Sequence, residues 1–548
     1  MADYDAIVIG SGSGGLTAAV ALANCGRRVA VFEQHYLAGG YSQSFTLEGY
    51  RFSPGIHYIG QLGPGEALRR IYEGLGVADD LEFFELNPDG YDHAVIGEER
   101  FDIPKGVDSF TRRLKERFPA EASGIERYVR TVCRIAEELA WATPPRTPKD
   151  VITLPVRMRT VLRYGLLPLN RFLDRFTADP LLRAILSIQA GDHGMAPSRA
   201  PAALHAGLQS YYFNGACYPR GGGHAIPTAL IKRLKSQGGE IHLRTDVARV
   251  MVRGGKAVGV RLAGGEEVGA GLVISNADPG MTWGRLVDAE HVPTRLRRRV
   301  RHLHYSISTL SLFAAVDMDL RAAGLDSGNI WYSSTPDVDA GYELAQRADL
   351  SEVEEMPGLF FNVTTLKDPT MRRDRVHTAE VLALASPDAF SRWRDTAPAA
   401  RPQDYEAFKS YLTGKILDSV ERFVPGFRDH IVFSALGTPL TNMHYLHATR
   451  GGIYGTENTI RNLGPFSFPV RTTIPGLFQC GASTISPGIH GVTKSGLAAA
   501  ASALGCEETA LLTATSDPLR VYPAEDRSAW PEELRARAAP GYDDLPGR

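Results

Sequence analysis

The chain reads as an α/β protein built on a parallel sheet, and three observations carry that reading. Ala6-Ile7-Val8-Ile9 is a short apolar strand. A glycine-rich turn, Gly10 to Gly15, follows it and opens an alanine-rich helix that runs to about Asn24. Val29-Ala30-Val31-Phe32 is a second apolar strand and ends at Glu33. A strand, a helix and a strand in this order, with short connections, bring the two strands side by side and parallel. Gly26 stops the helix because it tolerates the left-handed backbone of a helix C-terminus.

The remaining elements follow in order. From about Ala67 to Ile188 the apolar spacing is mostly helical, as in Gly124 to Trp141. Alternating α and β character returns between Gly221 and Ile274. There Pro227 to Gln237 reads as a helix, and Glu240 to Leu243, Val247 to Val252 and Val258 to Leu262 read as strands, with Gly254-Gly255 as a hairpin turn. Leu310 to Val316 is a strand and Asp404 to Val424 a helix. The last apolar unit, Leu477 to Leu504, ends a strand on glycine and starts a helix near Val492. After Ser516 the chain is rich in Pro, Asp and Arg and reads as a loose tail.

A chain of 548 residues exceeds one compact core, so two interleaved domains are expected. A nucleotide-binding domain takes residues 1–75, 216–295 and 451–510. A substrate domain takes 76–215, mostly helical, and 296–450, and a tail takes 511–548. The net charge of −2 argues against a nucleic-acid partner. The five cysteines form no CxxC pair, so no metal site and no redox dithiol is expected, and they suit a reducing cytoplasm. The apolar start lacks the basic flank of a signal peptide, and no stretch has the ~20 apolar residues of a spanning helix. The chain is therefore expected in the cytoplasm, soluble or peripheral to the inner face of the membrane. The segment bearing on that choice is Val151 to Leu173, which holds Arg157, Arg159, Arg163 and Arg171 and no acidic residue, with Pro155 and Pro168 breaking it into short helices. It reads either as a lipid-dipping surface or as a lid packed on the substrate domain.

Gly10-Ser11-Gly12-Ser13-Gly14-Gly15 fits G-x-G-x-x-G. Its place after a strand and before a helix, with Glu33 closing the next strand, makes it a Rossmann-type dinucleotide fingerprint. Gly10 permits the turn, Gly12 lets backbone N–H groups approach a pyrophosphate, and Gly15 lets the helix lie close on the strand. Glu33 suits ribose hydroxyls and repels a 2′-phosphate. Two further stretches favour FAD over NAD. Gly39-Gly40 offers a second backbone approach, and Gly481, with Gly488-Ile489-His490-Gly491-Val492, offers a second helix start for the flavin end. The expected cofactor shell is Gly10, Ser11, Gly12, Gly14, Gly15, Glu33, Gln34, Gly39, Gly40, Tyr41, Ser42, Val247, Gly481, Gly488, Ile489 and Val492.

No G-x-S-x-G and no H-E-x-x-H is present. His57 and Tyr58, in the Gly55–Gly60 segment, are candidate proton donors beside a flavin, or plain pocket wall. His490 either touches the flavin or caps the next helix. Arg220 pairs with a cofactor phosphate or with a surface carboxylate. Tyr211, Tyr212, Phe213 and Tyr218 are candidates to line a substrate channel, or core packing.

Glu33-Gln34-His35, Ala38-Gly39-Gly40, Gly55-Ile56-His57-Tyr58-Ile59-Gly60, Gly191-Asp192, Ala196-Pro197-Ser198, Tyr218-Pro219-Arg220-Gly221-Gly222 and Pro487-Gly488-Ile489-His490-Gly491-Val492 together resemble the phytoene desaturase-like flavoproteins. Within these the sequence is most similar to the retinol saturase and carotenoid isomerase branch. It differs in having Tyr41-Ser42 after Gly39-Gly40, where many relatives carry arginine and saturase-like members carry paired cysteines. The resemblance implies a Rossmann-type FAD-binding domain on the glutathione reductase-like or amine oxidase-like scaffold, with a discontinuous substrate-binding domain. It also implies a long hydrophobic polyene substrate whose double bonds are saturated, desaturated or isomerised, with an unidentified electron donor or acceptor. An amine oxidase-type flavoenzyme and a non-catalytic flavin or lipid carrier are the alternatives.

Overall fold

The computed structural model describes residues 2–140 and 148–538. Tyr4–Ile9 lies at the centre of the first sheet, parallel to Val29–Phe32 on one side and to Glu267–Ser275 on the other. Glu240–His242 extends the parallel sheet beyond Val29–Phe32, and Leu477–Gln479 extends it beyond Glu267–Ser275. A hairpin of Val247–Arg253 and Lys256–Leu262 adds antiparallel to the start of Glu267–Ser275. Its turn glycines, Gly254 and Gly255, both take the positive φ that a tight two-residue hairpin requires. Helices Ser13–Asn24, Ala225–Ser236 and Gly488–Leu504 pack together, and their apolar residues form one buried cluster with the strands. The first and last of these helices approach so closely that a Cβ on Gly496 would stand 2.0 Å from the carbonyl oxygen of Gly14.

The second sheet runs in the order Ile431–Gly437, Ser308–Val316, His377–Ala385, Gly358–Val363, Asn329–Ser333, Asp92–Ile96, Glu99–Ile103. All its pairs are antiparallel except Asn329–Ser333 with Asp92–Ile96. Residues alternate between its faces, as the pleat dictates. Ile330, Tyr332, Leu359 and Phe361 join the cluster under helix Gln403–Val420, while Trp331 and Phe360 turn toward the helices between 107 and 212.

Several expectations need correction. The span 67–188 is mostly helical as expected, but it also contains the strands Glu82–Glu85, Asp92–Ile96 and Glu99–Ile103, which that reading missed. Asp92–Ile96 is buried along its whole length, so it carries no alternation for a sequence reading to find. The helix expected over Gly124 to Trp141 is Ala122–Ala140, and Trp141 lies outside the described residues. The stretch after Ser516 is not loose as far as 538: Arg520–Pro523 pairs in parallel with Glu82–Glu85, and Trp530 and Leu534 pack against Phe84. Two apolar anchors outweigh the polar average of that segment. Pro155 does not break its helix, which runs Pro148–Arg157 around it. Among the described residues no helix is long and apolar enough to cross a membrane, and no group of three or more His, Cys, Asp or Glu is placed to hold a metal ion.

Candidate active site

A cavity of about 400 Å³ runs from the carboxyl ends of the parallel strands to the second sheet. Crevices at strand ends are where open α/β sheets bind ligands, because helix N-termini and glycine turns converge there. One end is lined by Gly10, Gly12, Ser13, Gly14, Glu33, Gln34 and Val247, and the middle by Gly39, Gly40, Tyr41, Ser42, Asn276, Gly481, Gly488, Ile489 and Val492. The far end is lined by Ile188, Trp331, Val338, Tyr342, Phe360, Leu382 and Leu384.

The glycine loop is shaped for a close ligand. Helix Ser13–Asn24 begins at Gly12 with no side-chain cap, so its positive end faces the cavity undischarged by the protein. Gly39 and Gly40 both take positive φ, and a Cβ on Gly40 would meet Cα of Gly12 at 3.3 Å, so the second glycine turn lies against the first. Helix Gly488–Leu504 likewise begins without a side-chain cap, at Pro487. Two of the expected shell residues stand behind the wall. Ser11 gives its N–H (2.8 Å) and hydroxyl (2.6 Å) to Glu33, which also accepts the N–H of His35 at 2.8 Å. Gly15 serves packing, since a Cβ there would lie 2.2 Å from the Gly10 carbonyl oxygen. Asn276 is the residue that the sequence reading missed. Its amide lies between Gly12 and Gly14, 2.6 Å and 2.9 Å from where their Cβ atoms would be. It follows the strand Glu267–Ser275 directly, and the strand-end rule was the available signal. Uncapped helix starts, two glycine turns and a carboxylate at the end of the second strand fit an extended FAD.

The expected catalytic and substrate residues separate. His57 lines the cavity, and its Nδ1 lies 3.0 Å from Oε2 of the fully buried Glu380. Glu380 also accepts the N–H of Ser53 at 2.6 Å. Beside them Lys367, fully buried, donates from Nζ to the His57 carbonyl (2.6 Å), Asn329 Oδ1 (2.5 Å) and Asn362 Oδ1 (3.1 Å). Burial pushes this amine down to about 7, against the pull of Glu380 and Asp92. Tyr58 sits behind the wall, stacked on Tyr212 at 4.5 Å. Its hydroxyl oxygen lies 2.5 Å from Asp192 Oδ2 and 3.1 Å from Asp92 Oδ2. Asp192 lines the cavity, and Asp92 is fully buried.

His490 is not part of the wall. It stacks on Tyr211 at 5.8 Å, and burial, then nearby Lys494, push its imidazole down to about 4. Tyr211, Tyr212, Phe213 and Tyr218 do not line the cavity either. Tyr212, Phe213 and Tyr218 are buried in the cluster between the second sheet and the helices: the end of helix Ala202–Tyr212 faces that core, Tyr218 enters it from the buried strand Cys217–Pro219, and Tyr211 packs against it. The aromatic wall comes instead from Trp331, Phe360, Tyr342 and Tyr454. Arg220 pairs with Glu82, which settles its two readings in favour of a carboxylate.

Residues 13–317 match the model of a family described as flavin containing amine oxidoreductase. Over 520 residues the chain is 31% identical to an all-trans-retinol 13,14-reductase of Danio rerio, covering 90% of this chain and 85% of that protein. It is 27% identical to a chloroplastic prolycopene isomerase of an Oncidium hybrid cultivar, over 93% of this chain and 85% of the other. A solved putrescine oxidase variant shares the fold with a TM-score of 0.62 at 17% identity, over 92% of this chain and 99% of its own.

Proposed function

The chain belongs to the flavin containing amine oxidoreductase family, in the branch of the retinol saturases and carotenoid isomerases, and on that footing we propose that it saturates, desaturates or isomerises carbon–carbon double bonds of a long polyene with FAD. A carotenoid, a retinoid or an unsaturated fatty acid has the required chemistry. One observation carries the reading: the cavity is continuous from the pyrophosphate-type loop to an end walled by Trp331, Phe360, Tyr342, Leu382 and Leu384. That end offers apolar surface and ring faces to a hydrocarbon. FAD supplies hydride or electron transfer when bound. The protein's part is to hold the dinucleotide at Gly10–Gly14, Glu33, Gly39 and Gly40, to place the double bond beside the flavin, and to keep water out. Residues 1–75, 216–295 and 451–510 form the FAD domain in this reading, with 76–215 and 296–450 around the substrate. His57 then belongs to the pocket wall, its imidazole fixed by Glu380.

The test is anaerobic incubation of oxidised and of reduced holoprotein with retinol, all-trans and cis carotenoids, and unsaturated fatty acids. Flavin absorbance and lipid product are followed together. A saturated, desaturated or isomerised polyene is expected. Binding of polyene with no product in either redox state overturns the enzyme reading in favour of a carrier. Bleaching by amines alone favours an amine oxidase.

The substrate's route is proposed through a lipid surface at 151–173. Ile152, Val156, Leu162 and Leu166 are 76%, 73%, 54% and 49% exposed, next to exposed Arg157, Arg159 and Arg163. The opposite side is anchored, with Val161, Leu169, Phe172 and Leu173 buried and Glu138 accepting the N–H groups of Thr160 and Val161. The holoprotein is expected to co-sediment with anionic vesicles. Each arginine contributes about 1 kcal/mol there, so changing Arg157, Arg159 and Arg163 to Glu should lower partitioning by about 100-fold or more, with FAD content unchanged. Equal sedimentation of the triple variant would leave this segment as a lid.

A further inference from the structure

Three oxygens lie in a row beneath the apolar end of the cavity. Tyr58 Oη stands 2.5 Å from Asp192 Oδ2 and 3.1 Å from Asp92 Oδ2. A phenol has one proton and cannot donate fully to two carboxylates, so this arrangement is satisfied when one carboxyl keeps its own proton and donates it to the tyrosine oxygen. The other partners decide which one. Asp92 accepts from Gln189 Nε2 and from Asn329 Nδ2, each at 2.7 Å, so an anion there is solvated by amides. Asp192 has Tyr58 as its one hydrogen-bond partner among the described residues and faces the hydrocarbon end of the cavity, since the adjoining Gly191 lies flat against Trp331, where a Cβ would be 2.2 Å from the ring. The proton therefore rests on Asp192, the anion on Asp92, and Tyr58 links them.

We propose that Asp192 is the catalytic acid that protonates the polyene, with Tyr58 and Asp92 as positioning residues that hold its proton in place. This rests on the polyene reading above. In an isomerisation, the electron pair of the double bond forms a C–H bond as the Asp192 O–H bond breaks. The cation spreads along the remaining double bonds, the chain turns about the new single bond, and the same proton returns to Asp192. In a saturation, where bound reduced FAD would supply a hydride to the neighbouring carbon, Asp192 gives the proton and, standing on the cavity wall, regains one from water when the product leaves. Burial and then the charge of Asp92 raise the Asp192 carboxyl well above the usual range, in the same direction as the hydrogen-bond geometry. The titratable groups that interact with its charge are Tyr58, Tyr91, Asp92, Tyr211, Tyr212, Tyr342 and Tyr454, and the amine of Lys367 interacts with that of Asp92.

The experiment uses holoprotein and a polyene that the wild type converts. Asp192→Asn is expected to keep FAD and polyene binding and to lose about 100-fold or more in turnover, the usual contribution of a positioned acid. Wild-type turnover should fall as pH rises through the Asp192 pKa. Asp92→Asn should move that basic limb to lower pH, because removing the neighbouring charge makes Asp192 a stronger acid. A purely structural role for Asp92 would leave the limb in place. Turnover of Asp192→Asn within threefold of wild type overturns the proposal, as does an unmoved limb in Asp92→Asn if the first variant loses its FAD. If wild type converts no polyene, the substrate reading fails and the acid is judged by infrared spectroscopy. A protonated-carboxyl band at neutral pH that vanishes in Asp192→Asn upholds the proton on Asp192, and no such band refutes it.

Discussion

Gly12→Asp is expected to give a folded, colourless protein. Gly12 has φ −58° and ψ 161°, a conformation open to any residue, so the backbone does not resist the change. Two obstacles remain. A Cβ would meet Asn276 Nδ2 at 2.6 Å, and a carboxylate would stand where the pyrophosphate is proposed to lie. Two unit charges about 4 Å apart repel by about 4 kcal/mol at an effective dielectric near 20. Facing two phosphates, the loss approaches about 8 kcal/mol, or more than about 10⁵-fold in affinity. The two obstacles separate by mutation. Gly12→Ala meets only the steric one, and adding Asn276→Ala should restore FAD to it. Gly12→Asp with Asn276→Ala should stay colourless. Flavin absorbance after desalting, set against circular dichroism for the fold, reads the series. Stoichiometric FAD in Gly12→Asp would remove the cofactor from this loop.

How much of this was legible in the sequence follows the range of the interactions. The loop from Gly10 to Gly15 and its partner Glu33 are local, 22 positions apart at most in the Ser11–Glu33 bond, and strand, turn and helix signals sit in one short window. The strands of the second sheet at Ser308–Val316 and the Gly254-Gly255 hairpin were legible for the same reason. The polar network was not. Tyr58 meets Asp92 across 34 positions and Asp192 across 134, and His57 meets Glu380 across 323. No spacing rule links such residues; the sheet register and the packing of helices bring them together. Tyr211 and Tyr212 misled because an aromatic pair looks alike on a channel wall and in a core, and only the facing of helix Ala202–Tyr212 distinguishes them.

Lys367→Met should change the pH dependence of stability as well as its size. The amine is fully buried with no carboxylate in direct contact among the described residues, and it holds three oxygens: the His57 carbonyl, Asn329 Oδ1 and Asn362 Oδ1. Methionine fills the volume and leaves those acceptors without a donor, at about 1–3 kcal/mol each where no water replaces it. The sign of the pH effect follows from the amine's depressed pKa of about 7. Below that value both folded and unfolded chains carry the proton, and the fold bears the full penalty of a buried charge. Between about 7 and about 10.4 the unfolded chain still holds a proton that the folded chain has released, so wild-type stability gains with rising pH. Across that window the gain is on the order of 4 kcal/mol. Asp92, raised to about 6, acts in the opposite direction but at lower pH, as its unfolded value is near 3.9. The variant lacks the lysine slope. Its deficit against wild type should therefore be smallest near pH 6.5 and grow steadily toward pH 9.5, in urea midpoints of the two holoproteins measured side by side. Parallel curves over that range would mean that Lys367 is charged in the fold throughout, and that Glu380 and Asp92 outweigh its burial.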